Sequence, residues 1–313
     1  MDRDRPIAKR SIFVTSSGRT GTLFFARLLG RLIPACRAFH EPDVLPNSLA
    51  GLREALKHFD PFHLTLGRMS SASCMRRLSI QRQCGRASPA YAARAVRRMR
   101  KRFVESLDGD VYVEAGAQTI GLIDVLPAVF PNSRTAVLVR DGRDWVRSIS
   151  AFFTECFGTR DLVHVLGGGR LTAAMCPRDP WHQAWGGFSR FERKCWWWAA
   201  SNRYALQCMA RRPGAKLWKY EDVFLSPARY ARLQEIVDFV TTFPDGARLE
   251  HGPLEGALER RVHQSPPEAF PHWREWSDTQ VAQFQRICGE LMSRLGYGHE
   301  PQWQEKCARA AAA

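Results

Sequence analysis

The sequence predicts an α/β fold in which helices cover both faces of a central parallel sheet, a three-layer architecture. Short β-branched and aromatic runs alternate along the chain with segments whose apolar residues recur at helical spacing. This alternation implies parallel strands under a cover of helices. The chain has 313 residues, 45% of them hydrophobic, which suffices for a sizeable core. Residues 1–313 are expected to form a single domain, with insertions at 47–104 and 155–190.

The first strand–helix–strand unit lies near the N-terminus. Residues 12–15 (IFVT) form a short apolar run that a Ser-Ser-Gly sequence ends, which is typical of a buried strand. Apolar residues then recur at helical spacing from Thr20 or Gly21 to residue 32, where a nearby proline ends the predicted helix. Residues 37–40 predict a second short strand, ended by Pro42.

The middle of the chain repeats this pattern with a clearer signal. Residues 111–114 and 135–139 are predicted strands, and residues 119–130 and 144–153 are predicted helices. The segment 155–185 that follows holds three consecutive glycines and two prolines, so we expect it to be an insertion loop or a lid.

The last third of the chain completes the sheet and its cover. Its predicted elements are a helix over 190–211, a strand over 215–219, and helices over 227–240 and 279–295. Residues 244–272 hold five prolines and little periodicity, which predicts irregular chain. The alanine-rich tail at 308–313 is expected to be ragged.

The charge balance points to anionic partners. Lys and Arg number 46 against 31 Asp and Glu, a formal net charge of +15. Such a balance suits nucleic acid, a membrane surface, or an acidic small molecule or glycan, and by itself does not choose among them.

The cysteines and the N-terminus indicate a reducing compartment. Nine cysteines are scattered without a C-x-x-C pair or zinc-like spacing, which favours free thiols. The sequence contains no apolar stretch of about 20 residues, so no membrane span is expected. Residues 1–10 are charged and lack the apolar region of a secretory signal, so a cytoplasmic location is expected.

The turn after the first strand has the composition of an anion site. It contains, in order, Ser17, Gly18, Arg19, Thr20, Gly21 and Thr22. Backbone N–H groups at such a turn and at the following helix N-terminus surround an anion, and Arg19 adds a fixed positive charge. The nucleotide-kinase loop G-x-x-x-x-G-K-[ST] is absent. The alternative is an ordinary Ser/Thr/Gly turn with an incidental arginine.

A second strand–turn–helix carries the other candidate anion site. Arg140 lies at the carboxyl end of the strand at 135–139, where open parallel sheets bind ligands. Asp144 is placed to cap or charge the next helix, and Ser148 follows one turn later. Each residue alone is ordinary, because an arginine at a strand end usually lies on the surface. Two such turns on one sheet suggest a ligand with two separated phosphate-like groups.

Together these residues resemble the sulfotransferase family that uses 3′-phosphoadenosine 5′-phosphosulfate (PAPS). Arg140 and Ser148 have the Arg-(x)7-Ser spacing with which that family holds the 3′-phosphate, and Arg143 and Asp144 match the tail of the same motif. Arg19 lies where the family carries Lys or Arg in its 5′-phosphosulfate loop. The resemblance touches about half the chain and implies a P-loop-NTPase-like form of the predicted fold.

Three weaker matches follow along the chain. Residues 196–198 (WWW) with Asn202 resemble the family's tryptophan-bearing helix, and residues 219–222 (KYED) resemble its R-Y-E-D segment. Residues 273–296 resemble the closing helix of bacterial members. By resemblance, Tyr220 and one of the tryptophans hold the adenine. A run of three tryptophans in a helix points in three directions, so we expect two of them in the core.

The chain departs from the family pattern in two places. Gly142 replaces the usual proline of the second motif, and residues 114–118 (EAGAQ) lack the catalytic histidine of the cytosolic small-molecule branch. The resemblance therefore points toward carbohydrate- or peptide-sulfating and bacterial members, in which a glutamate often serves as the base. Glu41 is the favoured base, His40 the second and Glu114 the third; each also has a purely structural interpretation.

The resemblance implies in-line sulfuryl transfer from PAPS without a metal. Arg19 would stabilise the departing oxygen, and Thr20, Gly21 and Thr22 would supply N–H and O–H donors. The acceptor group would be a hydroxyl or amine of a glycan or other small or lipid-linked molecule, anionic acceptors included. Two alternatives stay open: a P-loop-like kinase or nucleotide hydrolase requiring ATP and Mg²⁺, and a non-catalytic anion-binding protein.

A basic segment stands out between the first and second halves of the predicted sheet. Residues 61–104 contain no Asp or Glu, and eleven Lys or Arg fall within 68–102. One interpretation is a docking face that binds either an anionic acceptor or a membrane surface. The other is a solvated arginine-rich helix. Nucleic acid is not an expected partner, because no reader motif is present. The acceptor and the oligomeric state stay undetermined at this stage.

Overall fold

A parallel five-stranded sheet organises the protein, as predicted. The computed structural model describes residues 5–45, 48–161, 169–211, 214–259 and 270–312. The strands are β1 (Arg10–Ser16), β2 (Cys36–His40), β3 (Val111–Gly116), β4 (Ser133–Val139) and β5 (Ala215–Lys219). They pair in the order β2-β3-β1-β4-β5, and all four pairings are parallel. The predicted α/β fold class is therefore confirmed.

The helices lie between and around these strands. They are α1 (Thr22–Leu32), α2 (Leu49–His58), α3 (Pro61–Leu64), α4 (Met75–Gln83), α5 (Pro89–Ser106), α6 (Leu126–Val129), α7 (Gly142–Phe152), α8 (Arg190–Met209), α9 (Tyr220–Phe224), α10 (Arg229–Thr241), α11 (Asp278–Arg294) and α12 (Pro301–Ala312). The predicted insertion at 47–104 contains α2 to α5 and a 3-10 turn, Leu66–Met69.

The sheet is apolar on both faces because helices cover both. Ile12 and Val14 of β1 point into a core shared with α1 and α10. Phe13, between them, points to the opposite face and packs with residues of α5 and α6. A third cluster joins α7, α8 and α11 at the carboxyl end of β4, where it includes Val139. Because successive side chains of β1 point to opposite faces of the sheet, the strand contributes to two separate cores. The sheet and the helices on its two faces form the three layers.

The helix predicted over 119–130 is wrong. The chain instead forms a 3-10 turn, Ala117–Leu122, followed by the one-turn helix α6. Pro127 lies in the first turn of α6, where its missing N–H is tolerated. A proline at that position cannot continue a helix from the preceding residues, so the apolar spacing there reflects core packing rather than one helix.

Two other regions differ from or fall outside the expectations. The tail expected to be ragged is helical, since α12 extends to Ala312 and seats Trp303 in the core. The described part of 155–190 is irregular chain with short 3-10 turns, Ala173–Met175 and Ala184–Gly187, before α8 begins. Gly167 and Gly168 lie outside the described residues.

The cysteines are not all free, contrary to expectation. Cys84 at the end of α4 and Cys176 form a disulfide, and the other seven are free thiols. The two partners are 92 residues apart in sequence, and spacing alone does not reveal such a contact. Among the described helices, none combines the length and apolar composition that crossing a bilayer requires.

Candidate functional site

One large cleft lies where the five strands end. It has a volume of about 1400 Å³, and residues that follow the carboxyl ends of all five strands line it: Ser17, Glu41, Ala117, Arg140 and Tyr220. β1 is central, with β3 on one side and β4 on the other, so the connections diverge at this strand. Such a switch point is where open parallel sheets bind ligands.

The turn between β1 and α1 has an unusual backbone. Gly18, Arg19 and Gly21 have φ angles of 93°, 56° and 86°, all in the left-handed region. An arginine in this region costs about 1 kcal/mol or more, and such strain concentrates at functional sites. The Trp145 indole N–H donates to the Gly18 carbonyl at 2.7 Å, which helps to hold the turn.

The N-terminus of α1 opens on the same cleft. Gly21 is its N-cap residue, no side chain caps it, and its first turn contains no acidic residue. The first N–H groups of a helix lack intrahelical partners and carry partial positive charge, so an anion is stabilised there. Gly21 is also tightly packed, because a Cβ there would lie 2.9 Å from the ring of Phe224.

Arg140 and Ser148 lie in the cleft wall beside this turn. The Arg140 guanidinium donates to the Arg19 carbonyl at 3.2 Å and lies 4.6 Å from the centre of the Tyr220 ring. Within the described residues, Arg140 Nε is buried without a hydrogen-bond partner. The Trp198 indole N–H donates to the Arg140 carbonyl at 3.0 Å. An anion accepting from Arg140 would complete its hydrogen bonding.

The Arg19 side chain meets the second turn instead of lying apart from it. Its Nε donates to Ser148 Oγ at 3.3 Å, and its guanidinium lies 3.9 Å from the Phe152 ring centre. Burial lowers the pKa of Arg19, and the nearby charge of Arg140 lowers it further. The sequence interpretation expected the two turns to serve opposite ends of a ligand. In the structure, the Arg19 side chain lies beside Ser148 of the second turn, and Arg140 donates to the Arg19 carbonyl.

Of the two roles expected for Asp144, capping α7 or charging its first turn, the structure shows the second. Asp141 accepts a hydrogen bond from the Arg143 N–H, whereas Asp144 lies in the first turn and lines the cleft. The carboxylate of Glu221 accepts from the Asp141 N–H at 3.0 Å and from the Tyr297 hydroxyl at 2.7 Å. These bonds fix the turn that presents Arg140.

His40 and Glu41 lie at the end of the edge strand β2. His40 is exposed in the cleft, and its Nε2 lies 3.2 Å from Thr22 Oγ1. Glu41 has a φ of 48°, and its carboxylate accepts from the Ala117 N–H at 3.0 Å. An ion pair of 3.6 Å joins it to Arg76. Both base candidates therefore face the same cleft as the first turn.

Glu114, the third base candidate, lies elsewhere. Its side chain is buried and accepts from Arg100 at 2.9 and 2.8 Å and from the Tyr112 hydroxyl at 2.6 Å. It does not line the cleft. The strand's pleat turns residue 114 away from the site, so Glu114 is a structural ion-pair partner.

The basic segment is partly internal, which neither sequence interpretation anticipated. Arg68, Arg82 and Arg100 are buried, and they bond to acidic residues or carbonyls from other segments. Arg76 contacts Glu41 in the cleft. The arginines of this acid-free segment pair with carboxylates at positions 43, 114 and 124. The absence of Asp and Glu within the segment was the sequence signal that its arginines find partners elsewhere in the chain.

Other predicted residues divide between cleft and core. Trp196 and Trp198 are buried in the core, as expected for two of the three, and Trp197 lines the cleft. Ser17, Gly18, Arg19, Gly21, Thr22 and Tyr220 line the cleft, while the Thr20 side chain is fully buried. Nowhere in the described ranges do three or more His, Cys, Asp or Glu side chains form a metal-like group.

Known proteins resemble this chain only distantly. No family model matches the sequence, and no curated protein matches it. Among solved structures, the sulfotransferase domain from the curacin biosynthetic pathway aligns over 98% of this chain and 99% of its own, with 12% identity and a TM-score of 0.41. A sulfotransferase from Alicyclobacillus acidocaldarius aligns over 96% and 99%, with 13% identity and a TM-score of 0.39. Structural similarity this low does not support a statement about activity. The function is therefore argued from the residues of the cleft.

Proposed function

We propose that this protein is a sulfotransferase that moves a sulfuryl group from PAPS to an acceptor hydroxyl. One observation carries the proposal: the strained turn after β1, the Arg140–Ser148 pair and the base candidates at the end of β2 share one cleft at the sheet's carboxyl edge. This arrangement suits an anionic nucleotide donor and an acceptor bound side by side.

The cationic end of the cleft fits the 3′-phosphate of the donor. Arg140 Nε lacks a partner within the described residues, and Ser148 Oγ already accepts from Arg19. Two guanidinium groups held close together repel each other, and a bound phosphate offsets that repulsion. Tyr220, packed beside Arg140, offers an aromatic face to an adenine ring.

The turn before α1 fits the phosphosulfate end. Its left-handed residues and the uncapped helix N-terminus provide backbone N–H groups for oxygens on phosphorus and sulfur. The Thr22 hydroxyl lies at the same place and is held next to His40. The Arg19 guanidinium lies beside Ser148, so we assign it to the donor phosphates as a group.

Glu41 is the proposed general base, with His40 as the alternative. The acceptor oxygen forms a bond to sulfur as its proton passes to the carboxylate. The bond between sulfur and the bridging oxygen breaks, and 3′-phosphoadenosine 5′-phosphate leaves with that oxygen. The hydrogen bond from Ala117 and the ion pair with Arg76 hold the Glu41 carboxylate at the cleft.

The test separates donor binding from turnover. Thermal unfolding is measured with 3′,5′-adenosine bisphosphate, with 5′-AMP, and with ATP plus Mg²⁺. Bisphosphate at about 100 times its Kd should stabilise the fold by about 2.7 kcal/mol, without Mg²⁺. Transfer of labelled sulfate from PAPS to an acceptor panel follows. Stabilisation only by ATP with Mg²⁺ would instead favour a kinase or nucleotide hydrolase.

The base assignment has its own experiment. Glu41→Gln keeps the shape of the side chain and removes the proton acceptor, so sulfate transfer should fall at least about 100-fold. Bisphosphate binding should be unchanged. His40→Gln serves as the comparison. If Glu41→Gln turns over normally and His40→Gln does not, the base is His40.

A further inference from the structure

We infer that the acceptor is an uncharged amphiphile whose hydroxyl reaches Glu41 while its hydrocarbon chain leaves through an apolar mouth of the cleft. This inference rests on the proposed function and deepens it. The apolar mouth consists of Leu45, Leu66 and Met69, which line the cleft with 47%, 66% and 65% of their surface exposed.

The apolar mouth is built onto the loop that carries the base. The Val44 N–H donates to the Glu41 carbonyl at 3.0 Å, which places Leu45 directly beyond the base. The Arg68 guanidinium donates to the Asp43 carbonyl at 2.9 Å, which ties the 3-10 turn of Leu66 and Met69 to the same loop. A molecule with its hydroxyl at Glu41 therefore meets these three side chains next.

Deeper apolar residues line the same cleft as the apolar mouth. Val44, Leu64 and Ile80 also line the cleft, and Leu64 and Ile80 are buried. Large exposed apolar side chains grouped at one opening are uncommon on a soluble surface and mark binding sites. Here they adjoin a cleft and a candidate base, so the occupant they fit is the acceptor itself.

The charges at this end do not favour an anionic acceptor. Arg76 pairs with Glu41, Arg68 bonds to the Asp43 carbonyl, and Arg170 pairs with the buried Asp161. All three line the cleft, where Arg76 and Arg170 are paired with carboxylates and Arg68 is buried against a backbone carbonyl. An acidic glycan would need to break such pairs, whereas an alkyl chain needs only the apolar mouth.

The size of the cleft leaves room for both molecules. Its volume of about 1400 Å³ exceeds the roughly 300–1,000 Å³ of a pocket for one small ligand. The donor end, formed by the first turn, Arg140 and Tyr220, uses only part of it. The remainder includes the apolar mouth and the apolar residues behind it.

The experiment is a chain-length series with labelled PAPS. Alkyl β-glucosides with four to ten carbons, each below its critical micelle concentration, are compared with free glucose and with glucuronate. The value of kcat/KM should rise about twofold to fourfold for each added methylene until the chain passes the apolar mouth. A flat series, or a preference for glucuronate, would overturn the inference.

Variants locate the effect. The double substitution Leu66→Ser with Met69→Ser should reduce the gain per methylene to less than about 1.5-fold. The control Leu49→Ser changes a leucine that is 79% exposed and does not line the cleft, so the steep dependence should persist. If the double variant keeps the full slope, or only changes the oligomeric mass on size exclusion, the apolar mouth is not the acceptor site.

Failure of the inference is distinguishable from failure of the proposed function. If 3′,5′-adenosine bisphosphate does not stabilise the protein and no acceptor is sulfated, the proposed function itself is wrong. If the bisphosphate binds and other acceptors are sulfated without regard to chain length, only the acceptor class is wrong.

Discussion

Arg140 and Glu41 sit on opposite flanks of the first turn, and the backbone explains how each is presented. Arg140 is presented by a turn that Asp141 and Glu221 fix through hydrogen bonds. Glu41 has a positive φ, a conformation an L-residue adopts only when its surroundings require it. At the scale of single residues, hydrogen bonds around Arg140 and the backbone conformation of Glu41 therefore set how each side chain meets the cleft.

Arg140→Ala should weaken the binding of 3′,5′-adenosine bisphosphate about 10- to 100-fold. A hydrogen bond to a charged group contributes about 1.5–3 kcal/mol, and this substitution removes the donors facing the proposed phosphate. Isothermal titration calorimetry measures the Kd. Arg232→Ala is the matched control, since Arg232 is a half-exposed arginine paired with Glu235. Equal affinity in both variants would remove Arg140 from the site.

Gly116→Ala should lower kcat/KM at least about tenfold while leaving bisphosphate binding intact. A Cβ at Gly116 would lie 2.4 Å from Glu41 Cγ, so the carboxylate must move. The backbone there is extended, so alanine brings steric displacement without conformational strain. Gly186→Ala is the control, because a Cβ there meets nothing within 4 Å. Unchanged turnover in Gly116→Ala would argue against Glu41 as the base.

At the scale of elements, a buried charge cluster holds the β2 loop against α5 and β3. Arg100 of α5 is fully buried and bonds to Asp43 in that loop and to Glu114 of β3. Burial alone would raise the pKa of Asp43, but the Arg100 charge, the His63 imidazole 3.6 Å away and hydrogen bonds from Arg100 hold it well below its usual range. The loop that carries Glu41 is anchored two residues away by this cluster.

Arg100→Met should lower the free energy of unfolding by about 3–5 kcal/mol, because two carboxylates would stay buried without their partner. Urea denaturation with a shared slope for both proteins measures the change. Arg102→Met, on the exposed face of the same helix, should stay within about 0.5 kcal/mol of the parent. A loss below about 1 kcal/mol in Arg100→Met would show that the cluster is not important for stability.

Stability should fall in acid through Asp43. Its pKa is lower in the folded than in the unfolded state, so its contribution is present above about pH 4 and is lost as the pH falls through the folded value. Asp43→Asn should remove this contribution and flatten the dependence of the unfolding free energy on pH below about pH 4. Parallel curves for parent and variant would contradict the assignment.

At the scale of the whole molecule, the Cys84–Cys176 disulfide joins α4 to the irregular chain before α8. Residues of both segments line the cleft, including Ile80 and Leu171. The bridge therefore connects two walls of the site across a long stretch of sequence.

Thiol titration of the denatured, unreduced protein should find seven free thiols per chain and nine after reduction. Cys84→Ser should lower the free energy of unfolding by about 2–5 kcal/mol, the range typical for removal of a native bridge. Cys36→Ser, at a thiol the structure leaves unpaired, is the control. Nine thiols without reduction would exclude the bridge in solution.

Much of the architecture follows from local sequence. The strands at 12–15, 37–40, 111–114, 135–139 and 215–219 were predictable because each is a short apolar run beside a turn, and the structure has a strand at each position. The two anion-ready turns were visible because Gly, Ser, Thr and Arg follow strand ends directly. Such features depend on neighbours in the chain.

Tertiary structure decided what depends on distant partners. Glu114 and Glu41 were equivalent candidates in the sequence, since both lie at or just after the end of a strand. In the structure, the pleat of the strand directs the Glu114 side chain into the core, where it bonds to Arg100. The arginines of 68–102 looked like a surface, yet several meet carboxylates from other segments. Burial and ion pairing are properties of contacts between remote residues, so spacing along the chain cannot determine them.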